Sequence, residues 1–170
     1  IADNTDLAPA AKSILEVLCQ SLAWDLGELW IFDRRERRLR FVEMWSRPGL
    51  DTGTFARVSR LMTFTPGEGV PGRIIQTREL AWIDDVRTDG AYRRKREAVA
   101  LGLCGAVGVP IASREEAVGA MLLYSRAAHP PDSSTSATLM AVGAQVGQSM
   151  ERRQLEAQVL RSQKLEAIGT

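Results

Sequence analysis

The fold is indicated most clearly by the stretch Gly102-Leu103-Cys104-Gly105-Ala106-Val107-Gly108-Val109-Pro110-Ile111, which is followed by the similarly apolar Ala117–Tyr124. The mostly polar residues 112–116 between them predict a turn, so strands over Cys104–Ile111 and Ala117–Tyr124 form an antiparallel pair. A strand with one wet face alternates apolar and polar residues, whereas these two runs are apolar at nearly every position. We therefore expect both faces of the sheet to be covered.

The elements before this pair follow from the same kind of pattern. Apolar residues recur at helical spacing over Leu7–Leu22, which predicts one amphipathic helix. Two hydrophobic segments flank the charged residues 34–38 and predict a hairpin with a solvated turn. The hairpin strands cover Glu28–Asp33 and Leu39–Ser46, and the smaller elements are short helices over Phe55–Leu61 and Val70–Gln76, a strand over Leu80–Ile83, and a helix with one wet face over Ala91–Leu101.

A long helix is predicted from Thr135 to about Ile168, with Ser133 or Ser134 as its cap. Its second half is mostly charged or amide, so it has too little apolar surface to pack on the domain. A partner helix in a parallel two-stranded coiled coil would stabilise it. The expected dimer seam consists of Leu139, Val142, Val146, Leu155 and Val159.

Composition limits the classes of partner. The chain has 170 residues, with 22 Lys and Arg against 21 Asp and Glu, and it is 45% hydrophobic, which is typical of one globular domain with or without a tail. A net charge of +1 does not give the basic character of a general nucleic-acid-binding protein. No apolar run reaches the roughly 18 to 20 residues that span a bilayer. We expect neither nucleic acid nor a membrane as a partner of this segment.

The two cysteines, Cys19 and Cys104, form no disulfide framework and, with the single His129, no four-ligand zinc site. Reduced thiols favour a cytoplasmic location. The chain begins without Met and ends at Gly169-Thr170, so we expect it to be a piece of a longer protein.

Four further features of the sequence are the motifs Gly67-Glu68-Gly69-Val70-Pro71-Gly72-Arg73, Leu80-Ala81-Trp82-Ile83-Asp84-Asp85-Val86, the stretch 102–111, and Val118-Gly119-Ala120-Met121-Leu122-Leu123-Tyr124. In this order and at these spacings they resemble the GAF domain family over about Leu7–Ser149. The resemblance implies an α+β fold, an antiparallel sheet with helices on both faces, and a ligand cavity between the sheet and the short helices and loops on one side.

The tail carries a second resemblance. Residues Leu160–Thr170 are similar to the opening of the dimerisation and phosphoacceptor helix of bacterial sensor histidine kinases. In that family the phosphorylated histidine lies shortly beyond this point, and His129, in a proline-containing loop, does not match it. We therefore expect a GAF sensor domain over 1–150 and a coiled-coil signalling helix over 151–170 that leads into a truncated kinase dimerisation domain.

The family cavity suggests which residues contact a ligand. Trp30 and Phe32 share one strand face by period two, and we expect Trp45 to face them from the neighbouring strand. The alternative for each aromatic residue is a purely structural place in the core. The expected cavity-lining residues are Trp30, Phe32, Trp45, Phe64, Trp82, Cys104 and Met121.

Several chemistries of the family are not supported by the residues. Neither cysteine is followed by a histidine, as covalent bilin attachment usually requires, and the cyclic-nucleotide constellation is not recognisable. Two cysteines cannot provide the three of the relative that reduces free methionine sulfoxide, and haem through His129 would rest on a loop histidine. We expect no cofactor, although a small ligand of unknown identity remains open.

Other motifs have structural explanations. Gly67-x-Gly69-x-x-Gly72 formally matches a dinucleotide fingerprint, but Glu68 and the preceding hairpin favour a turn that starts a helix. Asp84-Asp85 fits a turn better than paired catalytic carboxylates. The run Arg93-Arg94-Lys95-Arg96 predicts a solvated helix face, with binding of an anionic ligand or a nucleic acid as the alternative.

These observations favour a regulatory module over an enzyme, because no nucleophile, base and metal-ligand set is recognisable. The expected function is that of a sensor domain of a two-component histidine kinase. It would bind a small ligand or partner and transmit the signal to the kinase core of the same chain through a homodimeric C-terminal helix. The alternative is a GAF dimerisation scaffold without a ligand, between an upstream sensor and the effector.

Overall fold

The computed structural model describes residues 4–114 and 116–169, and Glu115 of the predicted turn and Thr170 of the tail lie outside them. Five helices and six strands occupy these residues. The helices are α1 (Asn4–Leu22), α2 (Gly53–Leu61), α3 (Gly69–Thr77), α4 (Lys95–Ala100) and α5 (Ser133–Gly169), and the strands are β1 (Leu26–Asp33), β2 (Arg38–Ser46), β3 (Thr63–Phe64), β4 (Ala81–Ile83), β5 (Gly105–Ser113) and β6 (Glu116–Ser125).

The six strands form one sheet in the order β3-β2-β1-β6-β5-β4, and every neighbouring pair is antiparallel. The N-terminal hairpin β1–β2 and the C-terminal hairpin β5–β6 meet at the centre, where β1 pairs with β6. The two most apolar strands, β5 and β6, lie next to each other in this sheet and are buried along most of their length. The predicted α+β architecture is confirmed.

Helices cover both faces of this sheet, as its apolar strands require. Side chains of α2, α3 and α4 pack on one face, which we call the inner face; it includes Trp30, Ala106, Leu122 and Tyr124. Side chains of α1 and α5 pack on the other, the helix-pair face, which includes Leu29, Val107, Met121 and Leu123.

Helix α5 packs on β5 through two glycines. A Cβ at Gly143 would lie well inside van der Waals contact of the carbonyl oxygen of Pro110, and a Cβ at Gly147 would collide with that of Ala112. Only glycine permits backbone to approach backbone this closely. The two glycines that interrupt the helical pattern therefore fix the seat of α5 on the sheet.

The first half of the predicted dimer seam is wrong. Leu139 is 0% exposed and Val146 is also buried, both against the helix-pair face, and Val142 packs on the same core. These side chains are used within the domain because α5 lies on β5 up to about Met150. Beyond that point Leu155 and Val159 are 52% and 56% exposed, and their place in a dimer seam stays a prediction.

Two further boundaries differ from the sequence prediction. Helix α4 has six residues, Lys95–Ala100, instead of the predicted Ala91–Leu101, because residues 91–94 form turns that direct Arg94 inward. The cap of α5 is Asp132 and not a serine: its carboxylate accepts hydrogen bonds from the backbone N–H and the hydroxyl of Thr135, at 3.0 and 2.6 Å. Among the described residues, no helix is long and apolar enough to cross a membrane.

Candidate functional site

A β-bulge in β2 sorts the aromatic residues between the two faces. Leu29 pairs with Glu43 and Trp30 pairs with Phe41, so Val42 has no partner in β1. The extra residue reverses the alternation beyond it. As a result Trp45 packs on the helix-pair face, and the prediction that it faces Trp30 and Phe32 is wrong.

On the inner face, a fully buried ion pair joins the sheet to the segment before α4. Glu28 of β1 is 0% exposed and Arg94 is 1% exposed. The two terminal nitrogens of Arg94 donate to the two carboxylate oxygens, Nη1 to Oε2 at 2.8 Å and Nη2 to Oε1 at 2.6 Å. This bidentate geometry is the strongest form of an arginine–carboxylate pair.

Hydroxyl groups complete the polar contacts of the guanidinium. Nη1 also donates to Ser59 Oγ at 2.6 Å and Nη2 to the Tyr124 hydroxyl oxygen at 3.0 Å. Tyr124 donates to Glu28 Oε1 at 2.9 Å and accepts from the Tyr92 hydroxyl at 3.1 Å. Every hydrogen on the two terminal nitrogens thus has an acceptor, as a buried charge requires.

Aromatic rings surround the same guanidinium. Its Cζ lies 4.9 Å from the ring centre of Phe55, 5.3 Å from Trp30 and 5.4 Å from Tyr92. These distances are within the range of cation–π attraction, which is stronger where water is excluded. We call this site the Arg94 cage; it consists of the rings of Trp30, Phe55 and Tyr92 and the acceptors Glu28, Ser59 and Tyr124.

The electrostatics of the Arg94 cage favour the ion pair over neutral groups. Burial opposes the charged form of Arg94, but the Glu28 carboxylate raises its pKa well above the ordinary value. Burial also raises the pKa of Tyr92 to about 12 and that of Tyr124 well above its ordinary value. At neutral pH Arg94 is therefore charged, and the phenols of Tyr92 and Tyr124 are neutral.

The turn and short helix around Gly67–Gly72 frame this region. Gly67 adopts φ 85°, and a Cβ at Gly72 would collide with the carbonyl oxygen of Thr65. The glycines thus serve the close turn that starts α3, as the sequence indicates. Phe64 lies beside this turn and contacts Trp30 edge to face, with ring centres 5.0 Å apart.

The structure divides the predicted cavity-lining residues between the two faces. Trp30, Phe32 and Phe64 belong to the inner face, whereas Trp45, Trp82 and Met121 belong to the helix-pair face. Cys104 is half-buried in the loop before β5 and belongs to neither core. The alternation of each strand causes this division, because one cavity cannot contact both sides of a sheet.

Sequence reasoning missed the polar half of the cage. Arg94 was expected on a solvated helix face, and Glu28, Ser59 and Tyr124 were not singled out. One signal was available: Glu28 shares the strand face of Trp30 in an otherwise apolar segment, and a buried carboxylate needs a cation. Which of the basic residues 93–96 supplies it was not readable from the sequence.

The remaining candidate groups lie away from the cage. Cys19 is buried in the helix-pair core, and burial raises the pKa of its thiol to about 12. His129 stacks on Trp24, with ring centres 3.9 Å apart. Asp85 is bound by Arg87 in a turn, as expected of a structural carboxylate. Among the described residues, no three acidic, cysteine or histidine side chains are grouped to hold a metal ion.

The GAF domain family model matches residues 4–151, nearly the whole folded unit. The chain belongs to the GAF domain family. No curated protein matches the sequence. Solved structures share the fold at low identity. The GAF domain of a phosphoenolpyruvate-protein phosphotransferase from Coxiella burnetii is 20% identical with a TM-score of 0.72, and 88% of this chain and 84% of that chain are covered.

Two other GAF-like structures represent different uses of the fold. A domain of a putative two-component sensor histidine kinase from Sinorhizobium meliloti 1021 is 19% identical with a TM-score of 0.66, covering 88% of this chain and 94% of that one. The free methionine-R-sulfoxide reductase of Neisseria meningitidis is 17% identical with a TM-score of 0.66, covering 88% and 81%. The GAF fold is a regulatory and sensor fold, and the similar structures include a sensor-kinase domain and a reductase.

Proposed function

We propose that this GAF domain is the sensor of a two-component histidine kinase. In this proposal a signal received on the inner face changes the packing of α5, and the kinase core of the same chain responds. The observation that carries the proposal is the division of α5 into two parts. The 37-residue helix is docked on the sheet in its first half, and it continues unbroken through the exposed residues 152–169.

The exposed half of α5 fits a homodimer. Large apolar side chains there are more than half exposed, and a single helix of this length with no packed face is marginal in water. The same segment of a second copy offers equivalent side chains, as a parallel coiled coil requires. The exposed apolar side chains are Leu155, Val159, Leu160, Leu165 and Ile168.

The kinase assignment rests on the tail and on one similarity. Residues 160–170 are similar to the opening of a histidine kinase dimerisation helix, and the chain is similar to a domain of the S. meliloti sensor protein. A cytoplasmic location and the 150/151 domain boundary stay predictions.

The point where α5 leaves the sheet supports a route for the signal. Glu151 accepts a hydrogen bond from the Ser113 hydroxyl and pairs with Arg114 Nε at 3.1 Å. Ser113 is the last residue of β5 and Arg114 follows it in the turn, so a shift of this hairpin moves the exit of the helix. A ligand acts as a switch here only if it binds two helix packings with different affinity.

The test is the oligomeric state of variants in the exposed half of α5. Leu155→Lys with Val159→Lys should convert a dimer into a monomer in light scattering coupled to size-exclusion chromatography, because lysines at a seam repel and lose apolar contact. Val146 is unsuitable because it is buried within the domain. The matched control is Gln154→Lys with Ala157→Lys, which adds the same charge on another side of the helix and should remain dimeric. A double-lysine seam variant that stays dimeric contradicts the proposed seam.

A second candidate is a dimerisation scaffold that binds no ligand. It is favoured by one observation: the protein's own buried side chains, Arg94 among them, occupy the space between β1, β6 and the short helices. Native mass spectrometry of the purified chain separates the two candidates. A dimer that retains a defined added mass supports the sensor, whereas a dimer of bare chains favours the scaffold.

A further inference from the structure

The Arg94 cage has the construction of a receptor for an organic cation. We propose that it is the effector site of the domain, that the effector is a small guanidinium or amidinium compound, and that Arg94 occupies the site as an internal ligand. This inference rests on the proposed sensor function and specifies the ligand class for it.

The first argument is that the cage recognises only the end of the arginine side chain. Glu28, Ser59 and Tyr124 bind Nη1 and Nη2, while Nε of Arg94 has no acceptor among the described residues. The planar pair of terminal nitrogens is common to alkylguanidinium and amidinium compounds. Such a compound would make the same hydrogen bonds without the chain that carries Arg94.

The second argument is the charge of the fixed wall. Glu28 lies on the central strand β1 and is fully buried, and a buried carboxylate that loses its cation is strongly destabilising. Replacement of Arg94 by an external cation keeps that charge paired and keeps the cation between the rings of Trp30 and Phe55. A neutral or anionic compound would leave the carboxylate unpaired, so the cage selects against it.

The third argument is where Arg94 is attached. The acceptors Glu28 and Tyr124 lie on central strands, whereas Arg94 immediately precedes the six-residue α4, after a stretch of turns. Release of Arg94 therefore removes the polar anchor of the segment that leads into α4, which packs against α2. Because Arg94 competes for the cage, the apparent affinity for an external compound equals the intrinsic affinity multiplied by the fraction of molecules in which Arg94 has left the cage. If that fraction is about 1%, binding is about 100-fold weaker.

The test measures binding of methylguanidinium by isothermal titration calorimetry to the full chain. Arg94→Ala opens the cage and should bind one equivalent per chain, at least about tenfold tighter than wild type, as expected when the internal competitor is removed. Tetramethylammonium and sodium chloride serve as control salts and should not bind with this affinity, because neither presents a planar pair of donors. Glu28→Gln combined with Arg94→Ala should abolish binding.

A second variant covers the case in which Arg94→Ala does not fold. Arg94→Lys keeps the charge but loses the planar fork, so methylguanidinium should displace it more readily than it displaces Arg94. Lack of saturable binding to a folded Arg94→Ala, or to Arg94→Lys if only that variant folds, overturns the proposal. It is also overturned if wild type shows no binding at a thousandfold excess over the dissociation constant of the variant.

The oligomeric state of the same samples keeps the two proposals apart. A chain that remains dimeric but does not bind methylguanidinium refutes the effector class and leaves the helix-mediated mechanism standing. A monomeric chain that binds one equivalent supports the cage and refutes the dimer.

Discussion

The buried pair of Glu28 and Arg94 allows a quantitative test by a double-mutant cycle. Glu28→Gln removes the negative charge with little change of shape, and Arg94→Met removes the cation but keeps a flexible apolar side chain. Each single variant leaves one buried charge without its partner, which costs about 3–5 kcal/mol for fully buried pairs. For a domain of this size, about 2–4 °C of melting temperature corresponds to each kcal/mol, so each should melt about 6–20 °C lower.

The double variant is the informative member of the cycle. With both charges removed, neither remains to be desolvated alone, and replacement of a buried pair by apolar or neutral groups is often close to neutral. We expect its free energy of unfolding to lie within about 2 kcal/mol of wild type, well short of the summed losses. Circular dichroism during denaturation, at one fixed protein concentration, measures the four values.

An exposed pair provides the control for this cycle. Asp85→Asn breaks the contact with Arg87, whose side chain is more than half exposed, and should leave the melting temperature nearly unchanged. If the losses from Glu28→Gln and Arg94→Met simply add in the double variant, to within about 0.5 kcal/mol, the two side chains are not coupled and the description of the cage is refuted.

Two other outcomes follow from groups at the cage and under α5. Both tyrosines of the chain belong to the cage, and burial raises the pKa of Tyr92 to about 12 and that of Tyr124 well above its ordinary value. An unfolded tyrosine titrates near pH 10, so the stability that the neutral phenols contribute is complete below about pH 10 and is lost as the pH rises towards 12. Tyrosinate absorbance should therefore appear together with unfolding. A native chain with ionised tyrosines would contradict this prediction. Gly147→Ala places a methyl group against the carbonyl oxygen of Ala112, and we expect the clash to lower the free energy of unfolding by about 1–3 kcal/mol, less about 1 kcal/mol of improved helix propensity. The control Gln148→Ala, at an exposed position of the same helix, should not lower the melting temperature. A Gly147→Ala chain that melts higher than wild type would show that α5 does not pack on β5 as described.

Most of the architecture could be predicted from the sequence, because it depends on apolar runs, helical periodicity and Gly and Pro residues that can be recognised directly. The apolar runs in β5 and β6 and the breakers around α3 gave their elements to within about two residues of the observed bounds. The main error in secondary structure concerns residues 91–94, for which the sequence pattern predicts helix and the structure has turns. The local sequence pattern cannot show that Glu28, on the distant strand β1, binds the Arg94 side chain and that Arg94 therefore lies outside the helix.

The candidate site was less predictable for two physical reasons. One unpaired residue, Val42, reverses the faces of β2, and nothing in the sequence of that strand marks the bulge. In addition, Leu139 and Val146 have the spacing of both a dimer seam and a domain-facing stripe, and only the position of β5 decides between them. Beyond Glu151, which contacts Ser113 and Arg114, the side chains of α5 are exposed, as its polar sequence indicates.

The two cores lie on opposite faces of a single sheet, so each strand contributes alternate side chains to one core and to the other. Along β6, Leu122 and Tyr124 point to the side of Arg94, and the intervening Leu123 points to the side of α1 and α5. A strand displaced or rotated to suit one set of neighbours must carry the other set with it, because consecutive side chains share the same backbone. A deformation of the sheet caused on one face therefore also displaces the side chains on the other face, and no separate pathway of side chains is needed. Substitutions in β6 should accordingly alter the cage and the helix seat together.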